Sequence, residues 1–323
     1  MTTPLLRVFV AGATGTIGRA TVRTLLDRGH RVVCFVRPSS RADPLPGGCE
    51  VRIGDALDPT SVADDGFRGE AFDVVLSCMA SRSGTPADAW AVERDAHLHL
   101  LEAARASGVD HFILLSAICV QKPRLEFQRA KLSFEKALRN SGMDWSIVRP
   151  TAFFKSISGQ IERVKAGKPY LLFGDGTGTA CKPIADEDLA EFMVRCLEEP
   201  ELRNRVLPIG GPGPALTPRD QGGLLFEVAG VEPRFRRIPL AVMDAVVGVL
   251  GLLGRVIPAL RDKAELARIG RYYATESMLV WDAERGTYDA EATPEFGTRS
   301  LRDYYRARLE GSVKDQRGEH AVL

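Results

Sequence analysis

The feature that most constrains this chain is a run of glycines after a short apolar segment near its start. Residues 8–18 read VFVAGATGTIG, with glycines at intervals of three. Glycine permits a tight turn at Gly12, backbone approach to a pyrophosphate at Gly15 and close helix-to-strand contact at Gly18. Free N–H groups at the start of the next helix then bind the phosphates. The predicted cofactor contacts in this turn are Gly12, Ala13, Thr14, Gly15, Thr16, Ile17 and Gly18.

The first half of the chain alternates short apolar runs with amphipathic segments. The pattern predicts strands at 5–11, 31–36, 49–53, 72–78, 111–116 and 145–148, and helices at 16–28, 90–107 and 125–140. Such alternation is typical of a parallel sheet covered by helices on both faces. We therefore predict an α/β protein with a Rossmann-type, doubly wound parallel sheet.

After residue 150 the alternation becomes irregular. We expect a helix at 155–166, a strand at 169–173, a turn at 174–178, a helix at 186–197 and a late strand at 206–209. The predicted domains are an NADP-binding domain over 1–153, to which a strand near 205–210 returns, and a smaller interleaved C-terminal substrate lobe over 154–323. The apolar stretch 239–260 could face a substrate or make weak contact with a membrane surface, but we expect core packing because Asp244 opposes lipid contact.

Composition excludes several classes of protein. Lys and Arg number 43 and Asp and Glu 42, so the net charge of +1 provides no basic field for nucleic acid. No eighteen uncharged apolar residues run together, so we expect no transmembrane segment. The six cysteines lack paired spacing, and few residues precede the first strand, which predicts reduced thiols in a bacterial cytoplasmic protein. His97 and His99 face different sides of a helix, so we predict no metal site.

Residues after the predicted strands indicate which nucleotide binds. The second strand is followed by Arg37 and Arg41, where an NAD-preferring protein usually has an acidic residue, so we favour NADPH over solvated loop charges. Asp55 and Ala56 follow the third strand, where adenine contacts arise, although Asp55 could simply cap a turn. The other predicted cofactor contacts are Ala80, Lys131 and Pro150.

Ser116 and Lys131 lie where short-chain dehydrogenases have a catalytic serine and the lysine of a Tyr-x-x-x-Lys motif. The tyrosine position is Phe127, so alcohol–ketone chemistry through that residue is not expected. Lys131 shares a helix face with Phe127, Phe134 and Leu138. Because a buried ammonium needs a partner, we favour a contact with ribose or substrate over a lysine that reaches past apolar residues to solvent.

Longer segments resemble one family over nearly the whole chain. They are residues 114–123 (LLSAICVQKP), 125–131 (LEFQRAK), 147–156 (IVRPTAFFKS), 167–170 (GKPY), 173–176 (FGDG), 180–184 (ACKPI), 206–213 (VLPIGGPG) and 269–274 (IGRYYA). These resemble divinyl chlorophyllide a 8-vinyl-reductases, an atypical branch of the extended short-chain dehydrogenases. The resemblance implies NADPH-dependent reduction of the 8-vinyl group of divinyl chlorophyllide or protochlorophyllide to ethyl, in chlorophyll and bacteriochlorophyll synthesis. It also implies a photosynthetic bacterium, with the protein cytoplasmic or peripheral to the photosynthetic membrane.

A flat apolar substrate with a propionate edge calls for a large apolar pocket rimmed by cations. The predicted substrate contacts are Cys119, Gln121, Phe153, Phe154, Lys155, Arg271 and Tyr272, with Tyr273 in the same cluster. Phe153 and Phe154 could equally be core residues, and Lys155 and Arg271 could be solvated charges. We predict Lys131 and Ser116 as catalytic residues, with Lys131 either holding the nicotinamide ribose or relaying the proton. Two alternatives stay open: a non-catalytic NADP-sensing or assembly protein on the same fold, and a reductase of another conjugated alkene.

Overall fold

Seven parallel strands form the central sheet of the computed structural model, which describes residues 5–39, 45–257 and 259–313. The strands are β1 (Arg7–Ala11), β2 (Arg31–Val36), β3 (Glu50–Ile53), β4 (Val74–Ser77), β5 (His111–Leu115), β6 (Asp144–Pro150) and β8 (Arg205–Ile209), and their order is β3-β2-β1-β4-β5-β6-β8. The direction of winding reverses between β1 and β4, which opens a crevice at the carboxyl ends of these strands. The predicted fold class is confirmed.

Helices cover both faces of this sheet. In chain order, the helices within the described residues are α1 (Thr16–Asp27), α2 (Pro59–Ser61), α3 (Pro86–Trp90), α4 (His97–Ala106), α5 (Glu126–Arg139), α6 (Ile161–Lys165), α7 (Asp186–Glu198), α8 (Pro218–Ala229), α9 (Leu240–Val256), α10 (Ala259–Tyr273) and α11 (Leu301–Leu309). Alternate residues of β1, β2, β4, β5, β6 and β8 face α1 and α7 on one side and α4 and α5 on the other. A π-helical segment, Ala91–Ala96, joins α3 to α4 where the sequence predicts one continuous helix.

A second cluster of elements stands at the carboxyl end of the sheet. The strands β7 (Tyr170–Phe173) and β9 (Phe235–Ile238) pair in parallel, and β10 (Val280–Asp282) and β11 (Thr287–Asp289) form an antiparallel hairpin. A separate apolar core joins α6, α8 and α11 around buried aromatic residues such as Phe226 and Tyr305. The helix predicted at 155–166 is wrong in its first half, because a 3₁₀ turn (Phe154–Ile157) precedes α6.

The apolar helix α9 packs against α10 but leaves most of its surface open. Val242, Val246, Val249, Leu252 and Val256 are between 47% and 82% exposed, and Gly254 is the buried residue of this helix. The expectation of core packing for 239–260 is therefore wrong, because no third element covers these side chains in the part of the chain that the structure describes. No helix within the described ranges combines the length and apolar character needed to cross a bilayer.

The segment before α11 ties the end of the chain to the first turn of α7. Asp188 of α7 is 3% exposed and accepts hydrogen bonds from the backbone N–H groups of Thr298 (3.1 Å) and Arg299 (3.0 Å). The N–H of Phe296 donates to the carbonyl of Gly210 at 2.9 Å, just beyond β8. These bonds fix residues 296–299 against α7 and against the residue that follows β8.

Candidate functional site

The glycine turn between β1 and α1 has the shape of a phosphate cradle. Gly12 has φ +78°, and a Cβ there would lie 2.5 Å from the carbonyl carbon of Cys78. A Cβ on Gly18 would lie 2.2 Å from the carbonyl oxygen of Gly12, so both positions require glycine. At Gly15 the nearest atom would be 3.5 Å away. Because Gly15 precedes α1 and no side chain caps it, the first N–H groups of α1 remain available to a pyrophosphate.

Lys155 lies at this turn. Its ammonium donates a hydrogen bond to the Thr16 hydroxyl, and burial lowers the pKa of Lys155. Burial raises the pKa of Asp186, although the Lys155 ammonium acts in the opposite direction. The structure thus places this predicted substrate residue beside the first turn of α1.

Two arginines occur where the loops after β2 and β4 approach each other. Burial lowers the pKa of Arg37, and the nearby charge of Arg82 lowers it further, whereas Asp55 and Asp88 act in the opposite direction. Asp55 also caps a turn by accepting from the N–H of Leu57 at 3.0 Å, as the alternative to an adenine contact predicts. Arg82 is a cation that the sequence motifs do not indicate. Arg41 lies outside the described residues.

The ammonium of Lys131 is buried against a carboxylate. Lys131 Nζ lies 2.7 Å from Glu93 Oε2, and the side chains are 10% and 2% exposed. Glu93 also accepts from the N–H and hydroxyl of Ser81 at 2.9 and 3.0 Å, immediately after Ala80. Burial raises the pKa of Glu93, but the Lys131 ammonium and the other partners outweigh it and hold the pKa below its ordinary value. Glu93 lies in the π-helical segment Ala91–Ala96, a kind of irregularity frequent at functional sites.

A buried neutral histidine supports this pair from the adjoining turn. His97 Nδ1 lies 2.8 Å from the carbonyl of Val92, so it carries the proton, and Nε2 accepts from the Ser77 hydroxyl at 2.9 Å. Burial lowers the pKa of His97 to about 4. His99 instead bonds to the carbonyl of Ala56 at 3.0 Å. Among residues 5–39, 45–257 and 259–313, no group of three His, Cys, Asp or Glu side chains could hold a metal ion.

Ser116 follows β5 but is bonded into the fold. Its hydroxyl donates to Glu135 Oε1 at 2.5 Å, and the guanidinium of Arg149 pairs with the same carboxylate. Ser116 thereby connects β5 to α5, one helical turn beyond Lys131. Pro150 is buried at the end of β6.

Helix α10 brings two tyrosines to the segment between β5 and α5. The Tyr272 hydroxyl donates to the carbonyl of Cys119 at 2.9 Å, and the Tyr273 hydroxyl lies 3.9 Å from Cys119 Sγ. Gln128 of α5 donates to the same carbonyl at 3.1 Å. Cys119, Tyr272 and Tyr273 therefore meet at the first turn of the helix that carries Lys131.

The remaining predicted substrate residues lie apart from this cluster. Gln121 holds the β10 strand, because its side-chain oxygen accepts from the N–H of Trp281 at 2.9 Å. Phe154 belongs to the core of the C-terminal cluster, and Phe153 packs against the core of the sheet. Arg271 pairs with Asp244 of α9 at 2.6 Å. Sequence reasoning missed Glu93, since nothing in its local pattern indicates a partner 38 residues away.

Comparisons with known proteins agree with this geometry. A family model described as NAD(P)H-binding matches residues 12–200. The fold also resembles that of an NADPH-dependent quinone oxidoreductase from Escherichia coli solved with NADPH, with a TM-score of 0.67, 17% identity and coverage of 94% of this chain and 99% of that one. A nucleoside-diphosphate-sugar epimerase from Staphylococcus aureus gives a TM-score of 0.65 at 16% identity, over 93% and 100% of the two chains. Sheet order and glycine turn define an NAD(P)H-binding protein of the Rossmann class.

Sequence relatives narrow this class. A protein of Oryza sativa subsp. indica named divinyl chlorophyllide a 8-vinyl-reductase, chloroplastic, is 48% identical over 98% of this chain and 82% of its own length. The Arabidopsis thaliana protein of the same name is 45% identical over 97% of this chain and 79% of its length. The chain belongs to the divinyl chlorophyllide a 8-vinyl-reductase family. A photosystem II assembly factor, Ycf39 of Cyanophora paradoxa, is 30% identical over 73% of each chain.

These relatives correct one prediction. The sequence led us to expect a bacterial cytoplasmic protein, or one peripheral to the photosynthetic membrane. The reductases of Oryza sativa and Arabidopsis thaliana are plant proteins named as chloroplastic. The expected localisation is therefore wrong, because it relied on the few residues before the first strand.

Proposed function

We propose that this chain is an NADPH-dependent reductase that converts the 8-vinyl group of divinyl chlorophyllide a or divinyl protochlorophyllide a to ethyl. The observation that carries the proposal is the buried Lys131–Glu93 pair on a motif that has Phe127 in place of tyrosine. Reduction of a conjugated vinyl group forms no alkoxide, so it does not need a phenol at that position. Four relatives named for this activity, at 45–48% identity, support the assignment.

The residues around the glycine turn have distinct parts in this proposal. NADPH, when bound, supplies a hydride. Gly15 and the start of α1 hold its pyrophosphate, and Lys131 holds the nicotinamide ribose in an orientation fixed by Glu93. Ser116, whose hydroxyl is bonded to Glu135, acts as a positioning residue for α5. Ala80, three residues after β4, and Pro150, the last residue of β6, are proposed as further cofactor contacts at the carboxyl edge of the sheet.

The preference for NADPH follows from charge. Burial and the nearby charge of Arg82 both lower the pKa of Arg37, and a 2′-phosphate between the two arginines would relieve their repulsion. We assign the product to chlorophyll synthesis, and we extend the assignment to bacteriochlorophyll synthesis because the family resemblance implies both.

The open face of α9 offers an apolar surface of the kind that a macrocycle requires. It is joined through α10 to the tyrosines at Cys119, and the Asp244–Arg271 ion pair links the two helices. We propose that the exposed residues Val246 and Val249 contact the ring of the pigment. The same face is the one that a weak membrane-surface contact would use. We favour the macrocycle because α9 packs on α10, the helix that carries Tyr272 and Tyr273.

The test is absorbance during anaerobic incubation of the purified protein with divinyl chlorophyllide a and either NADPH or NADH, with products identified by chromatography. A blue-shifting Soret band and a monovinyl product with NADPH support the proposal. Tight NADPH binding without any change in the pigment would favour a non-catalytic assembly protein, the function for which the relative at 30% identity is named. Turnover of a smaller conjugated alkene alone would favour the other reductase.

A further inference from the structure

Helix α10 brings a phenol, that of Tyr273, close to the site of Lys131, although α10 lies outside the motif of residues 127–131. Tyr273 is the last residue of α10, and its hydroxyl lies 3.9 Å from the Sγ of Cys119. The carbonyl of Cys119 accepts from Gln128, three residues before Lys131 on α5. Glu93, the partner of Lys131, is near enough to raise the pKa of Tyr273. Tyr273 therefore places a phenol beside the first turn of α5, the helix that carries Lys131.

The two tyrosines of α10 differ in what they can do. The Tyr272 hydroxyl donates to the carbonyls of Cys119 at 2.9 Å and Lys122 at 3.3 Å, and its side chain is 4% exposed. Tyr273 is 40% exposed, and its hydroxyl makes a long contact of 3.9 Å with the Sγ of Cys119. A thiol is a weak hydrogen-bond partner, so the hydroxyl of Tyr273 can turn to another acceptor at low cost.

Other groups of the site are less suited to give a proton to a substrate. Cys119 is 3% exposed, and burial raises the pKa of its thiol. A buried thiol of this kind is unreactive. The ammonium of Lys131 is held by Glu93 at 2.7 Å. Desolvation raises the pKa of Tyr273 well above its ordinary value, so its hydroxyl carries a proton at neutral pH.

We propose that Tyr273 donates the proton that completes reduction of the vinyl group. This inference rests on the proposed function. NADPH, when bound, supplies hydride to the outer vinyl carbon and leaves as NADP⁺, and the former π pair is delocalised over the macrocycle. The O–H bond of Tyr273 then breaks, its proton forms the new C–H bond at the inner carbon, and the bonding pair remains on the phenolate oxygen. Water returns the proton to the phenolate.

The first experiment compares Tyr273→Phe with the wild type and with a control, Tyr304→Phe. The control removes a tyrosine hydroxyl in the separate core around α11. A general acid contributes roughly 10²- to 10⁴-fold, so we expect the kcat for vinyl reduction to fall by that factor in Tyr273→Phe. The Kd for NADPH, measured by calorimetry without pigment, should change less than about twofold, and Tyr304→Phe should keep the wild-type kcat. A kcat for Tyr273→Phe within about threefold of the wild type would overturn the inference.

A second experiment separates proton donation from a merely structural part. Fluorinated tyrosines placed at position 273 preserve ring and hydroxyl but lower the pKa of the phenol. If Tyr273 donates the proton, kcat and the solvent deuterium isotope effect will follow that pKa, and the Kd for NADPH will not. Equal rates across these variants would assign the proton to water and refute the inference. A wild-type protein that leaves the pigment unchanged would instead refute the proposed function, and the inference with it.

Discussion

Replacing Lys131 by methionine should destabilise the protein strongly and reverse the pH dependence that Glu93 contributes. Methionine keeps most of the length of the side chain but removes the ammonium, which lies 2.7 Å from Glu93 between side chains that are 10% and 2% exposed. Removing one partner of a buried ion pair costs about 3–5 kcal/mol, because the other charge stays buried without compensation. Because the hydrogen bonds from Ser81 to Glu93 remain, we expect the loss of unfolding free energy to lie near the lower end of this range, at about 3 kcal/mol.

The sign of the pH dependence follows from the direction of the pKa shift. In the wild type the pKa of Glu93 is below its ordinary value of 4.5, because its partners outweigh burial. Glu93 therefore adds stability above about pH 4.5 that is lost as the pH falls. Without Lys131, burial dominates and raises the pKa of Glu93 above the value in the unfolded chain. The variant should then be relatively more stable at low pH and lose stability as the pH rises through that raised pKa.

The assay is urea unfolding followed by circular dichroism at several pH values between 5 and 8. Arg302→Met is the matched control, since its pair with Glu227 has a similar separation of 2.7 Å but side chains that are 43% and 61% exposed. Exposed pairs contribute about 0–1 kcal/mol, so this control should change little. The reasoning fails if Lys131→Met loses no more free energy of unfolding than Arg302→Met, or if both show the same dependence on pH.

Three further predictions concern the cofactor and the substrate. Gly15→Ala should fold normally, because its Cβ would lie 3.5 Å from the nearest atom, but it should bind NADPH at least about tenfold more weakly. Gly18→Ala should lose about 1–3 kcal/mol of stability, because its Cβ would lie 2.2 Å from a backbone oxygen. Calorimetry and urea unfolding measure the two effects, and equal effects would refute the difference. Arg37→Ala should weaken NADPH binding roughly 10- to 100-fold and leave NADH binding unchanged, and a parallel loss of both would remove Arg37 from the 2′-phosphate. Val246→Asn should raise the KM for the pigment without changing the Kd for NADPH. The control Val231→Asn, at a residue of similar exposure after α8, should leave both constants unchanged. A pigment KM that Val246→Asn does not alter would contradict the contact with the ring.

The first half of the fold could be predicted from sequence because its signals are local. The strand predicted at 31–36 is observed as β2 with the same bounds, and the helix at 125–140 is observed as α5 with one residue fewer at each end. Where a distant contact decides the local structure, prediction failed. The helix predicted at 90–107 is widened over Ala91–Ala96, the segment from which Glu93 reaches Lys131.

The site was predictable for groups that belong to a motif and not for their partners. The helical face of Lys131 follows from periodicity, and its burial confirms that face. Its carboxylate partner, the approach of Tyr273 and the position of Arg82 depend on loops and on α10, and no spacing along the chain encodes them. The expectation for 239–260 failed for the same reason, since hydropathy gives the apolar character of α9 but not which element, if any, covers it.

The contact between Asp188 and the segment before α11 has a consequence for biosynthesis. A growing chain leaves the ribosome from its N-terminus, and N-terminal domains commonly fold first. Here the buried carboxylate of Asp188, in the first turn of α7, accepts hydrogen bonds from backbone N–H groups that lie 110 residues further along the chain. Until those residues emerge, α7 would cover the sheet with an unsatisfied buried charge, which is costly. The nucleotide-binding half therefore reaches its final packing only after Thr298 and Arg299 have been synthesised, and a nascent chain stalled before residue 297 should stay bound to chaperones.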